Sequence, residues 1–302
     1  MDTVSCQLEK KAMLIVNPVS GKKLVIRYIP NIIRKLMDAG YMVTTFITSR
    51  RGEATEFVCR YARDFNLVCC TGGDGSLNEV LTGLAMENID IPLGYIPCGS
   101  TNDFAISHQL PTDILTAADS IAQGHGKRYD IGRFGDNYFS YVAAFGAFSW
   151  LSYTTDQKMK NALGHTAYIL DAIKDVYKIK PEHVAVTANG NTYEDDYIFG
   201  AVCNSTSIAG TIELPADLVD TADGVFEVLL VKMPETILDL NSIINSLLNK
   251  DYSNPLVTFF QASSVDIVNA PDLFWALDGE RSGGYEKIHI EPINQFLNLL
   301  GR

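Results

Sequence analysis

Leu67-Val68-Cys69-Cys70-Thr71-Gly72-Gly73-Asp74-Gly75-Ser76-Leu77-Asn78-Glu79-Val80-Leu81 changes character twice. Its first part is a short unbroken apolar run, the pattern of a strand buried on both faces of a parallel sheet. Three glycines around one aspartate break the run, and Leu77, Val80, Leu81 and Leu84 then resume at helical spacing. The stretch reads as strand, tight turn, helix N-terminus. Bare backbone N–H groups at such a turn, with the positive end of the helix dipole behind them, suit a phosphate. The glycines let a polyphosphate approach the backbone closely. Asp74 repels phosphate, and a divalent cation between the two reconciles them. Gly and Asp also populate ordinary strand-to-helix turns, so the turn is weighed by the company it keeps. It is neither the Walker phosphate loop nor the dinucleotide fingerprint.

Outward from this stretch, strands and helices alternate. Residues 12–16 form an apolar strand that runs into Asn17-Pro18-Val19-Ser20-Gly21-Lys22. A helix carries Ile29, Ile32, Ile33 and Leu36 to a C-capping Gly40, with a kink or fresh turn expected at Pro30. A strand at 43–47, a helix at 52–64, a strand at 91–97 and a helix at 113–123 follow. This alternation predicts a parallel sheet with helices on both faces. Such sheets bind ligands in the polar loops at their strand C-termini, here Asn17, the 72–75 turn and the 99–103 segment. Beyond Asp130 the rhythm becomes mostly antiparallel β, a sandwich or a barrel, with Asn189-Gly190-Asn191 as a hairpin turn. Residues 164–178 read as an amphipathic helix, 234–249 as a helical insertion and 292–300 as a helix.

The composition, 47% hydrophobic and 20% charged over 302 residues, is that of a folded chain large enough for two domains. A net charge of −12 excludes the basic footprint of a nucleic-acid binder and leaves only local patches for anionic lipid. Lys22-Lys23, Arg50-Arg51 and Lys158 with Lys160 are the candidates. The six cysteines form no C-x-x-C pair, and those in apolar strands read as small buried hydrophobes in a reducing compartment. The five histidines lack zinc-site spacing. No run spans a bilayer and residues 1–11 lack the apolar core of a signal peptide, so a cytoplasmic location is expected.

Four stretches together resemble the soluble bacterial diacylglycerol kinase-like lipid kinases, a branch of the superfamily that holds the NAD kinases. They are Asn17-Pro18 with Ser20-Gly21; Gly72-Gly73-Asp74-Gly75 with Asn78-Glu79; Pro97-Cys98-Gly99-Ser100-Thr101-Asn102-Asp103-Phe104-Ala105; and Asp278-Gly279-Glu280. The resemblance implies a Rossmann-like α/β nucleotide-binding domain over 1–129, rejoined by a C-terminal helix at 291–302. An antiparallel β-sandwich domain over 130–290 follows it, with the active site in the cleft between the two. It implies that Asn17, Thr48, Gly72, Gly73, Asp74, Gly75, Ser76, Asn78 and Ser100 line ATP. It implies that Asp74, Asp103 and Asp130 hold a water-mediated Mg²⁺ network. Asp220, Asp223 and the Val225 carbonyl would hold a structural Mg²⁺, with Asp220 the least secure match. Asp278 would be the catalytic base with Glu280 beside it. Ser76 and Ser100 stand where the family usually has Thr, and each keeps the hydroxyl.

The expectation is therefore an ATP- and Mg²⁺-dependent kinase acting on a lipid hydroxyl, diacylglycerol before others, which visits the membrane surface transiently and leaves a homodimer open. The 139–151 run, with Phe139, Tyr141, Phe145, Phe148, Trp150 and Leu151, is a candidate acyl lining, although core packing is the commoner fate of such a run. The alternatives are a soluble-substrate kinase of the NAD kinase type and a non-catalytic nucleotide- or lipid-binding regulator.

Overall fold

The unbroken apolar runs become the centre of a parallel sheet. The computed structural model describes residues 10–20, 25–99, 102–146, 180–208, 212–215, 217–283 and 285–301. They divide into two units, Met1–Ile131 with Asn294–Arg302, and Gly132–Ile293. The first unit runs β1 (Lys10–Val16), α1 (Val25–Asp38), β2 (Tyr41–Ile47), α2 (Glu53–Tyr61), β3 (Leu67–Gly72), α3 (Asp74–Met86), β4 (Leu93–Pro97), α4 (Asp103–Ser107), α5 (Ile114–Gln123) and β5 (Gly126–Phe134), which crosses into the second unit. β1 pairs in parallel with β2 and β3, and β3 with β4. Every residue of β3 and β4 is buried, as strands covered on both faces must be. Ala12, Leu14 and Val16 pack with Val25, Ile32 and Leu36 of α1 and with Ala117, Ala118 and Ile121 of α5.

The helix boundaries have local causes. Gly40 at φ +90° ends α1, which runs through Pro30 as one helix rather than restarting there. The Asp113 carboxylate accepts the Thr116 N–H at 2.9 Å and caps α5. Gly83 of α3 admits α2 closely: a Cβ there would lie 2.7 Å from Val58 Cβ.

The second unit contains β6 (Asn137–Phe139), β7 (Val142–Gly146), β8 (Glu182–Ala188), β9 (Asn191–Cys203), β10 (Ser207–Ile208), β11 (Ile212–Glu213), β12 (Phe226–Lys232), α6 (Ile237–Asn249), β13 (Val257–Ala262), β14 (Val265–Asn269), β15 (Phe274–Leu277), β16 (Glu280–Gly283) and β17 (Lys287–Leu300), which ends in the first unit. The long β9 organises it. Its first half pairs antiparallel with β8, and its second half lies between β7 and β12. One core collects Val184 and Val186 of β8, Val265 and Ile267 of β14, Phe226 and Val228 of β12, and Trp275 and Leu277 of β15. This is a β-rich, sandwich-type domain. Phe139 and Phe145 lie in that core, fully buried, so they are packing residues and not an open acyl lining. Residues 148–151 and the expected 164–178 helix lie outside the described residues.

The expected C-terminal helix is a strand. Residues 293, 296, 297 and 300 have helical spacing, but Leu297 and Leu299 also alternate about Asn298. The end of β17 extends the parallel sheet beside β4, with Leu299 opposite Leu93 and Leu300 opposite Gly94. The open edge of β4 offers a ladder of backbone partners that a helix would leave unmet. The chain does return to the first unit, as a strand.

Glu227 is the exception in the second core. It faces Cys203 on β9 and Gln261 on β13 and is fully buried. Gln261 Nε2 donates to its Oε1 at 3.1 Å, while Oε2 has no hydrogen-bond partner. Burial above all, then the neighbouring charges of Asp223 and Asp220, push this carboxyl up to about 7. A folded-state value above the unfolded one means stability is full at low pH and is lost as pH rises through about 7. In chelator-treated protein the melting temperature is therefore expected to fall between about pH 5 and 7.5. Glu227→Gln should flatten that part of the curve; parallel curves for the two proteins would refute the assignment.

Candidate active site

The sheet order in the first unit is β2-β1-β3-β4-β17, all parallel. The connection from β1 turns one way and that to β3 turns the other, so the switch point lies between the C-terminal ends of β1 and β3. Open parallel sheets bind ligands at such a point. Asn17 follows β1 and the Gly72-Gly73-Asp74-Gly75 turn follows β3. They meet there: Asn17 Nδ2 donates to Ser76 Oγ at 2.9 Å and Asn17 N to Thr71 O at 3.2 Å. Thr48 follows β2 and is tied to the end of β1 by its N–H and its Oγ1, both directed to Val16 O. Asn78 faces along α3, where its Oδ1 accepts from Thr82 Oγ1 at 3.5 Å, and Gly75 is half-buried in the first turn of α3.

The turn after β4 docks against the turn after β3. A Cβ on Gly99 would stand 2.5 Å from Gly73 Cα, and one on Gly73 would stand 3.3 Å from Gly99 Cα. Gly99 needs glycine because backbone meets backbone there, and Gly73 is tightly packed against it. The Asp74 carboxylate completes the contact, accepting from Asp103 N at 3.0 Å and Phe104 N at 3.3 Å. It thereby caps α4 from another helix. Asn102, left-handed at φ 56°, accepts the Gly99 N–H through Oδ1 at 2.8 Å; Asn tolerates this conformation well. Burial, then Asp74, push the Tyr95 phenol well above its ordinary value. It remains a neutral donor to Gly72 O at 3.3 Å. Ser100 lies outside the described residues. Asp130 is buried on β5 and accepts from Gln295 N at 2.6 Å. Cys70 and Cys98 line the strands beneath. Burial pushes the Cys98 thiol up to about 11 and the Cys70 thiol well above its ordinary value, so neither is a nucleophile.

In the second unit, Leu277 pairs with Glu280, so Asp278-Gly279 is a two-residue hairpin turn with φ 49° and 85°. Asp278 is 3% exposed, and its side chain turns inward. Oδ2 accepts from Ser140 N at 2.6 Å and Ser140 Oγ at 2.8 Å. Oδ1 accepts from Tyr141 N at 3.0 Å and Val142 N at 3.2 Å. These donors fill the four lone-pair positions of a carboxylate. Glu280 opens β16 half-exposed.

Asp220 and Asp223 are exposed and each closes a small turn, Asp220 Oδ1 accepting from Ala222 N and Asp223 Oδ1 from Val225 N. The unpartnered Oε2 of buried Glu227 adds a third carboxyl group near them, one that a bound cation would help to ionise. Among the described residues no three His, Cys, Asp or Glu side chains stand close enough to share one ion directly. Of the basic candidates, Arg50 is spent on Glu56, and Lys22, Lys23, Lys158 and Lys160 lie outside the described residues. Ser140 and Tyr95 carry no sequence signal that marks them. Asn102 and Glu79 stood inside motifs without an assigned role.

Known proteins match this arrangement over its whole length. The diacylglycerol kinase catalytic domain family matches residues 11–134, and the YegS C-terminal NAD kinase beta sandwich-like domain matches residues 148–300. A diacylglycerol kinase of Staphylococcus epidermidis is 32% identical over 294 residues, covering 97% of this chain and 90% of its own. One from Staphylococcus saprophyticus is 31% identical over 278 residues, 91% of this chain and 90% of its own. The crystal structure of a diacylglycerol kinase from Bacillus anthracis shares the fold, with a TM-score of 0.76, 24% identity and 97% of each chain covered.

The glycine-to-glycine contact has a direct test. Gly99→Ala puts a methyl group against the Gly73 backbone, and overpacking of this kind costs about 1–3 kcal/mol. A lower melting temperature is expected; Gly135→Ala, strained by its φ of +56° on an open turn of the second unit, lowers it too but leaves the 73–99 contact intact, so exchange and not melting separates the two. Amide exchange at residues 72–76 should quicken in Gly99→Ala alone.

Proposed function

The chain belongs to the diacylglycerol kinase family of lipid kinases, and from that premise we propose that it transfers the γ-phosphate of ATP to diacylglycerol, with Mg²⁺, to give phosphatidic acid. One observation carries the reading of the nucleotide site. Asn17, the Gly72–Asp74 turn and the Gly99 turn converge at the C-terminal ends of adjacent parallel strands, so closely that Gly73 and Gly99 meet backbone to backbone. Polyphosphate binds such bare backbone most readily. Asn17, Thr48, Gly72, Gly73, Gly75, Ser76, Asn78 and Ser100 are assigned to ATP, and Asp74, Asp103 and Asp130 to the water-mediated Mg²⁺ network. Mg²⁺, when bound, screens the phosphate charge during transfer. Asp220, Asp223 and the Val225 carbonyl are assigned to a structural Mg²⁺.

Asp278 is assigned the role of base, with Glu280 beside it. As the lipid oxygen attacks the γ-phosphorus, the O–H bond breaks and its proton passes to the carboxylate, while the bond to the ADP oxygen breaks. A carboxylate whose four acceptor positions are filled must release one donor first. Three of the four donors named above are backbone N–H groups, those of Ser140 and Tyr141 in the bend between β6 and β7 and that of Val142 at the start of β7. Of these four, the Ser140 hydroxyl can rotate away, and the lipid hydroxyl takes its place. Among the described residues no helix is long and apolar enough to cross a membrane, and we assign the enzyme a cytoplasmic location with transient visits to the bilayer surface.

A radiolabelled ATP transfer assay, offering diacylglycerol in mixed micelles and NAD in solution, tests the reading. Label in the lipid fraction is expected; label in NAD, or none, overturns it. Asp278→Asn should lower kcat about 10²- to 10⁴-fold while ATP still binds. The amide also sets an NH₂ against backbone N–H donors, at a cost of about 1–3 kcal/mol, so melting is measured in parallel. Turnover within a few-fold of wild type would remove Asp278 as base.

The structural cation has its own check. Chelation is expected to lower the melting temperature of the wild type but not of Asp223→Ala, since an ion held only by the native state stabilises it. Equal responses would remove the site.

A further inference from the structure

The first N–H groups of a helix have no partner within it, and a Ser, Thr, Asp or Asn at the N-cap usually supplies one. At the start of α2 the N-cap is Gly52, left-handed at φ 81° and without a side chain. The missing acceptors come from another helix. Glu79 of α3 accepts the Gly52 N–H through Oε1 at 2.8 Å and the Ala54 N–H through Oε2 at 3.3 Å. Its own carbonyl takes the Thr55 hydroxyl at 2.8 Å. The loop that ends at Gly52 begins at Thr48, whose N–H is fixed to Val16 O at the end of β1. Between these anchors, Ser49 bonds Glu53 through its N–H and its hydroxyl. That contact is local to α2 and shapes the loop without tying it to the rest of the unit. The Thr48–Gly52 loop is thus held at one end by the strand that leads to Asn17. At the other it is held by the helix that begins at Asp74.

We propose that Glu79 is a positioning residue for the nucleotide: its carboxylate clasps the loop of residues 48–52 to α3, so that Thr48 and the glycine turn are presented to ATP as one rigid unit. The proposal rests on the ATP reading above. It accounts for a residue that belongs to the glycine motif yet points away from the turn. It also accounts for the residue type. Two N–H donors need two acceptor oxygens on one side chain, which glutamate has. Glutamine offers one oxygen and an NH₂ that would face the second donor.

The test compares wild type, Glu79→Gln and Thr55→Val. Thr55→Val removes a bond between the same two helices without touching the loop. Glu79→Gln is expected to raise KM for ATP about fivefold, the worth of one helix cap. It should leave kcat and the lipid KM little changed. Exchange of the Gly52 and Ala54 amides should quicken in the absence of ATP. Thr55→Val should lower the melting temperature with KM for ATP unmoved. If Glu79→Gln lowers the melting temperature but neither exchange nor KM for ATP moves, Glu79 is a packing residue and the proposal falls. It falls equally if exchange quickens and KM for ATP stays, because the loop then does not serve the nucleotide. Failure of the kinase reading shows separately, as a wild-type protein that takes up no ATP at all, whereas the exchange rates read the clasp without ATP.

Discussion

Two glycine-rich turns share one crevice only if their backbones touch, and the approach of Gly73 to Gly99 is the constraint on which the nucleotide end of the molecule depends. It forbids a side chain at Gly99 and leaves little room for one at Gly73. It brings the start of α4 within reach of Asp74, whose carboxylate then satisfies two otherwise orphaned N–H groups. A half-buried carboxylate that accepts two main-chain N–H groups is fixed in direction. On the assignment proposed above, the aspartate that meets the phosphate-bound cation is oriented before any ligand arrives. Catalysis by positioning and charge, which is most of what phosphoryl transfer asks of a protein, gains from that fixed direction.

The same device recurs. Asp130 accepts the Gln295 N–H, Glu79 the N–H groups of Gly52 and Ala54, and Asp278 those of Ser140, Tyr141 and Val142. Each joins segments far apart in sequence. Part of the acidic excess thus goes into long-range acceptors for main-chain donors, where a neutral side chain would make a weaker bond. A count of charges can rule out a nucleic-acid footprint, but it cannot show this use, because the partners are backbone groups.

How much was legible follows from range. The strand, turn and helix at residues 67–84 could be read because the whole signal lies within one local stretch. So could the α/β rhythm and the Asn189-Gly190 hairpin. The sheet order could not be read, since nothing local to β1 says that β2 and β3 lie on opposite sides of it. Residues 292–300 misled because Ile293, Phe296, Leu297 and Leu300 fit a helix as well as Leu297 and Leu299 fit a strand, and only the unpaired edge of β4 decides between them. Asp278 was legible as a carboxylate at a turn. The donors that surround it were not, because Ser140 is an ordinary residue until the fold brings it there.

The parallel pairing of Leu299 with Leu93 also sets an order of assembly. β4 leaves the ribosome long before β17, and the whole second unit is synthesised in between. Until then the first sheet stops at β4, an apolar strand with an open row of N–H and C=O groups, the kind of edge that recruits other chains. Contacts of such sequence separation form late and slowly. The nascent lipid kinase therefore carries a sticky edge through most of its synthesis. Its yield should depend on chaperones that shield that edge more than on the stability of the finished fold.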